Sequence, residues 1–128
     1  MDPVVHFEMP SIDKKRVKNF YETVFDWKMT QLGSEMGDYL LATTSPTDKN
    51  NMHKKKGAIN GGFYKKGKNG TIPHIVIAVQ NLKKSMEMVK KSGGQVLGKP
   101  MGIPGVGDFI MFNDSEGNRV GMLQPSKM

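Results

Sequence analysis

The chain has 128 residues, 37% hydrophobic and 24% charged, the size and composition of one folded domain rather than a disordered segment. The absence of cysteine excludes disulfides and thiolate chemistry, and the longest apolar run, Ile75 to Val79, is too short to span a bilayer. The formal charge of +7 raises nucleic acid as a partner. Its lysines are spread along the whole chain, however. The densest runs, Lys54-Lys55-Lys56 and Lys65-Lys66-Gly67-Lys68, sit among Gly, Asn and His, where a solvated loop is expected, although Phe63 and Tyr64 precede the second run and could stack on bases. Met1-Asp2-Pro3 lacks the basic-then-apolar order of an export signal, so the cytoplasm is the expected compartment. Eleven methionines suit an adaptable core or cavity lining.

In chain order, Val4 to Met9 alternates and reads as a strand that Pro10 ends. Val17, Phe20, Tyr21, Val24 and Phe25 then form the apolar stripe of a helix, capped by Asp13 or Ser11. Strands are predicted over Trp27 to Leu32 and Tyr39 to Thr44. A polar loop covers Ser45 to Lys56, and a weaker strand, interrupted by Gly61 and Gly62, runs from Ala58 to Tyr64. Asn69-Gly70 marks a turn. The pattern then restarts with a strand over His74 to Val79 and a helix carrying Leu82, Met86 and Val89 that ends at Gly93-Gly94. Strands follow at Gln95 to Leu97 and Asp108 to Asn113. A polar connection, Asp114 to Asn118, leads to a last strand at Arg119 to Leu123.

The two halves align. His6 matches His74 at an offset of 68, Val17 matches Met86 at 69, and Asp38-Tyr39-Leu40-Leu41 matches Asp108-Phe109-Ile110-Met111 at 70. Each half reads β-α-β-β-β, with module 1 about 3–66 and module 2 about 70–125 of a single domain, 1–128. A repeat this long is half a domain rather than a solenoid unit. The expected fold class is α+β: two tandem modules joining into a U-shaped, half-barrel mixed sheet with helices outside and a cavity inside.

The residues that carry a resemblance are His6-Phe7-Glu8-Met9-Pro10, Asn19-Phe20-Tyr21 with Val24-Phe25-Asp26-Trp27-Lys28, Gly102 to Phe109, and Asp114-Ser115-Glu116-Gly117-Asn118. On these the chain resembles the vicinal oxygen chelate superfamily of glyoxalase I, extradiol dioxygenases and bleomycin-resistance proteins, in its short glyoxalase-like branch. The resemblance implies a site inside the U, one metal ligand on the first and last strands of each module, and a homodimer, which edge strands in need of cover also favour.

The first-strand ligand positions fall on His6 and His74, and the last-strand positions on Gly61 and Gly121, where metal-dependent relatives carry a carboxylate. Two imidazoles alone make a weak site. Glu8 shares a strand face with His6 and supplies a third candidate ligand, giving a His6, Glu8, His74 set for Zn, Ni, Mn or Fe; a protein without a metal is the competing expectation. Gly61 and Gly121 lack side chains and would instead widen the cavity. The expected cavity lining is His6, Glu8, Gly61, Phe63, His74, Asp108 and Gly121. The Gly102-x-x-Gly105-x-Gly107 run is expected as a loop over its mouth rather than a phosphate loop, because a strand follows it. His53 reads as a surface residue, and no Gly-x-Ser-x-Gly elbow is present.

The expected function is small-molecule binding in the cavity, of the glyoxalase/bleomycin-resistance kind, with a degenerate or absent metal site. The alternative is a divalent-metal-dependent lyase, isomerase or dioxygenase using His6 and His74. A nucleic-acid-binding module, resting on charge alone, ranks last.

Overall fold

The computed structural model describes residues 1–50, 53–67 and 72–126. The expected Asn69-Gly70 turn and Lys68 lie outside them. The fold is α+β, with eight strands in mixed pairing and two α-helices among the described residues. No helix of the described residues is long and apolar enough to cross a membrane.

The chain divides into two compact units, His6–Pro73 and Met1–Val5 with His74–Met128. In the first unit, β1 (Val4–Ser11) leads to α1 (Lys14–Phe25), β2 (Lys28–Gln31), β3 (Leu40–Thr43) and β4 (Asn60–Lys65), with a single 3₁₀ turn at Ser34–Met36. The strands lie in the order β2-β3-β4-β1. β1 pairs parallel to β4, and the other pairs are antiparallel. The second unit holds β5 (His74–Ala78), α2 (Leu82–Lys91), β6 (Gln95–Ile103), β7 (Gly107–Asn113) and β8 (Arg119–Pro125). Its order, β5-β8-β7-β6, is the same arrangement, with the one parallel pair again between the first and last strands.

Pro10 does not end β1. The Ser11 carbonyl accepts from the Lys66 N–H at 2.9 Å, so Ser11 turns its backbone polar groups toward the end of β4. Backbone groups alternate sides along a strand, so the N–H that Pro10 lacks belongs to the side away from β4 and costs this ladder nothing.

Each helix starts on a side chain that satisfies a free N–H of the first turn. Asp13 accepts from the Arg16 N–H at 3.1 Å, and Asn81 accepts from the Lys84 N–H at 3.0 Å. α1 packs Val17 and Tyr21 onto buried Met29, Leu40, Ala42 and Phe63, with Phe7, Met9 and Trp27 around them. The Tyr21 and Trp27 rings stack at 4.7 Å. The rest of the expected stripe, Phe20, Val24 and Phe25, stays more than half exposed. α2 lays Leu82, Met86 and Val89 over Val79, Ile110 and Met122.

The segment expected as a loop over a cavity mouth is a hairpin instead. β6 continues past Leu97, is interrupted by an irregularity, and pairs again through Met101–Ile103 with Gly107–Phe109 of β7. The turn between them is tight: the Val106 N–H donates to the Ile103 carbonyl at 3.0 Å, and Gly105 takes the positive φ of 74° that glycine tolerates.

Candidate functional site

In the first unit, strand alternation and the core decide which side chains share a face. Phe7 and Met9 pack with the α1-side core, so His6, Glu8 and Pro10 point to the other side. The β1–β4 register puts His6 opposite Asn60, Phe7 opposite Gly61, and Glu8 opposite Gly62. Gly61 and Phe63 therefore belong to the α1 side. Phe63 is 2% exposed in that core, and a Cβ on Gly61 would overlap the Phe7 ring. Neither residue lines a cavity with His6 and Glu8. The expected placement slipped by one residue, and a one-residue slip in a strand moves a side chain to the opposite face.

The residue that shares the face of His6 and Glu8 is Gly62, and a ring lies on it. A Cβ on Gly62 would overlap the Tyr39 ring. No positive φ holds Gly62, so glycine is required here for space rather than for conformation. Leu41 of β3 pairs with Gly62, which places Tyr39, two residues earlier, on the same face. The ring crosses the glycine toward β1. Its hydroxyl lies 2.9 Å from His6 Nε2 and is hydrogen-bonded to the Glu8 side chain. The His6 and Tyr39 rings are nearly parallel, with centroids 6.3 Å apart.

Burial holds the Tyr39 phenol far above its ordinary pKa, and the Glu8 charge, its hydrogen bond and Tyr64 push the same way. The phenol is therefore neutral and carries one proton. A carboxylate only accepts, so the hydroxyl donates to Glu8 and accepts from His6, which must carry its proton on Nε2. Tyr64 lies at the next outward position of β4 and donates from its hydroxyl to the Ile72 carbonyl at 2.8 Å.

The second unit repeats the seat without the hydroxyl and the carboxylate. β5 pairs Val76 with Gly121, as β1 pairs Glu8 with Gly62. A Cβ on Gly121 would come within 2.7 Å of the Phe109 ring, and Phe109 precedes Ile110 as Tyr39 precedes Leu40. An aromatic ring thus lies over a glycine in both units. Tyr39 and Glu8 of one unit correspond to Phe109 and Val76 of the other, while His6 and His74 correspond directly. His74 and Gly121 occupy the face away from α2. Asp108 does not: it is exposed and pairs with Gln124, whose side-chain carbonyl accepts the Leu82 N–H at 2.8 Å at the start of α2.

Among the described residues, no group of three or more His, Cys, Asp or Glu side chains is placed to hold a metal ion. His6, Glu8 and His74 are not such a group. The reason is visible for two of them, since His6 Nε2 carries the proton that it donates to the Tyr39 hydroxyl and the Glu8 carboxylate accepts from that same hydroxyl. These donors do not fit the divalent ion that the resemblance implies. His53 is partly buried and forms a bridge with Thr47 within the 45–56 loop.

Tyr39 is the residue that sequence reasoning missed. The signal was present in the repeat, where Tyr39 aligns with Phe109.

The profile of the Glyoxalase/Bleomycin resistance protein/Dioxygenase superfamily matches residues 4–122. No curated protein matches the chain by sequence. Solved structures resemble it in fold. A hypothetical protein of Bacillus halodurans C-125 is 14% identical with a TM-score of 0.67, over 99% of this chain and 96% of that one. Methylmalonyl-CoA epimerase from Mycobacterium tuberculosis is 11% identical with a TM-score of 0.65, over 97% of this chain and 88% of its own. A Streptomyces coelicolor methylmalonyl-CoA epimerase in complex with 2-nitronate-propionyl-CoA is 13% identical with a TM-score of 0.68, over 98% and 96%. The repeated β-α-β-β-β unit and the profile match over nearly the whole chain agree: the chain belongs to the glyoxalase/bleomycin resistance protein/dioxygenase superfamily.

Proposed function

We propose that this chain binds a small organic molecule on the face that carries His6, Glu8 and Tyr39, and that it does so without a His-carboxylate metal centre. The observation that carries the reading is the Tyr39 hydroxyl, joined to both His6 and Glu8. Ligand sites are mostly apolar with a few fixed polar groups, and this face offers a donor-acceptor set held in place by a ring seated on Gly62. The structural neighbours that act on acyl-CoA esters make an acyl compound a reasonable first probe. A cytoplasmic site of action and a homodimer belong to the same proposal. The exposed Val24 and Phe25 on α1 support self-association, and light scattering at the mass of a monomer would remove the dimer.

The test is metal analysis of the purified protein, before and after reconstitution with Zn, Ni, Mn and Fe, alongside a ligand screen by thermal shift. The expected result is no stoichiometric metal, and ligand stabilisation that Tyr39→Phe weakens. A near-stoichiometric metal that is lost on His6→Ala would overturn the reading in favour of a metal-dependent lyase, isomerase or dioxygenase.

A further inference from the structure

The first unit has a concave feature on the α1 side of its strands. Where β1 hands over to α1, a cavity of about 390 Å³ is lined by Ser11, Asp13, Arg16, Val17, Phe20 and Lys66, among others. Its size lies within the range of small-ligand pockets.

Alternation along β1 puts Ser11 on the same side as Phe7 and Met9. Ser11 is 5% exposed, and its hydroxyl is buried with no hydrogen-bond partner among the described residues. An unmade hydrogen bond at a buried hydroxyl is costly, so the group needs an explanation. Lys66 is brought alongside by the backbone bond from its N–H to the Ser11 carbonyl. Arg16 comes from the first turn of α1. That turn holds Lys14, Lys15 and Arg16 and no acidic residue, so three cations stand at the positive end of the helix dipole. Among the described lining residues the one carboxylate is Asp13, and one of its oxygens already caps the helix by accepting the Arg16 N–H. Val17 and Phe20 supply apolar wall. The lining therefore combines two cations and an unused hydroxyl donor with an apolar surface.

We propose that the β1–α1 junction binds a small organic carboxylate with an apolar body. Arg16 and Lys66 meet the carboxylate, the Ser11 hydroxyl donates to it, and Val17 and Phe20 contact the body. This site is separate from the Tyr39 face and stands or falls independently of it.

The test is titration of the full chain with phenylacetate, followed by calorimetry and by the amide resonances of Ser11, Arg16 and Lys66. Saturable binding is expected, with shifts at those amides. Inorganic phosphate, which has charge without a body, and benzyl alcohol, which has a body without charge, should each bind at least about tenfold more weakly. An Arg16→Gln, Lys66→Gln double variant should weaken phenylacetate by about tenfold or more, because charge-assisted hydrogen bonds are the strong ones. Ser11→Ala should weaken binding without lowering Tm. The proposal is overturned by the absence of saturation up to about 20 mM, by binding that the double variant leaves intact, or by a Ser11→Ala protein that gains stability and binds as before. Shifts confined to His6, Glu8 and Tyr39 would overturn this site and leave the other proposal standing.

Discussion

At the scale of single residues, two adjacent glycines do different work. Gly61 leaves room for Phe7 in the core, and Gly62 leaves room for the Tyr39 ring. Alanine at either position is expected to destabilise by about 1–3 kcal/mol through overpacking, as measured by urea unfolding. Only Gly62→Ala should also break the Tyr39–His6 contact, which the ring resonances of His6 would report; a Gly62→Ala protein with an unchanged His6 spectrum would contradict the seat. Tyr39 also gives stability an alkaline limb. Its folded pKa lies above its ordinary value of 10.0, so its contribution is complete below pH 10.0 and is lost as the pH rises beyond it. Between neutral pH and about pH 11, Tyr39→Phe should lose less stability than the wild type. The sharing of one face by His6 and Glu8 was legible in the sequence, because alternation alone sets it. Tyr39 was not legible as their partner. It lies just before β3, and only the pairing of Leu41 with Gly62 carries it across to β1.

At the scale of elements, capped and turn-bounded pieces were the most readable, because their chemistry is local. Asp13, Gly93-Gly94 and the Asp114–Asn118 connection stand where their residue types predict. Three glycines and a proline between Gly102 and Gly107 predict a loop, and no local signal announces the pairing of Met101–Ile103 with β7. The same irregularity blunts β6. Its Gly98, Lys99 and Pro100 stand at an interruption of an edge strand, and such features oppose edge-to-edge pairing. The β7–β8 connection is organised by Asp114, whose carboxylate accepts from the Asn118 side chain and from the backbone N–H groups of Glu116 and Asn118. The Asn118 side-chain bond leads in holding its pKa below the ordinary 3.8. The stabilisation is present above that value and is lost as the pH falls below it. Asp114→Ala should therefore speed amide exchange at Glu116 and Asn118 at neutral pH, and the difference from wild type should shrink in acid.

At the scale of the whole molecule, the repeated β-α-β-β-β order was legible because the halves still align residue by residue. The sequence suggested a boundary near residue 70. The compact units meet between Pro73 and His74, and a further division within β1 puts residues 1–5 with 74–128. The Ala78 N–H donates to the Pro3 carbonyl at 2.9 Å. Deleting residues 1–3 should expose the Ala78 amide to exchange and lower the stability of the second unit while leaving that of the first; equal loss in both would refute this division.

That assignment also orders events in time. The first unit is continuous in the chain, so every partner it needs is present once residue 73 has been made. The second must wait for its own strands and then recover residues 1–5, which precede the first unit in the chain. Closing so long a loop is a slow, entropically costly step. On a ribosome the first unit has every chance to form while residues 1–5 wait for their neighbours.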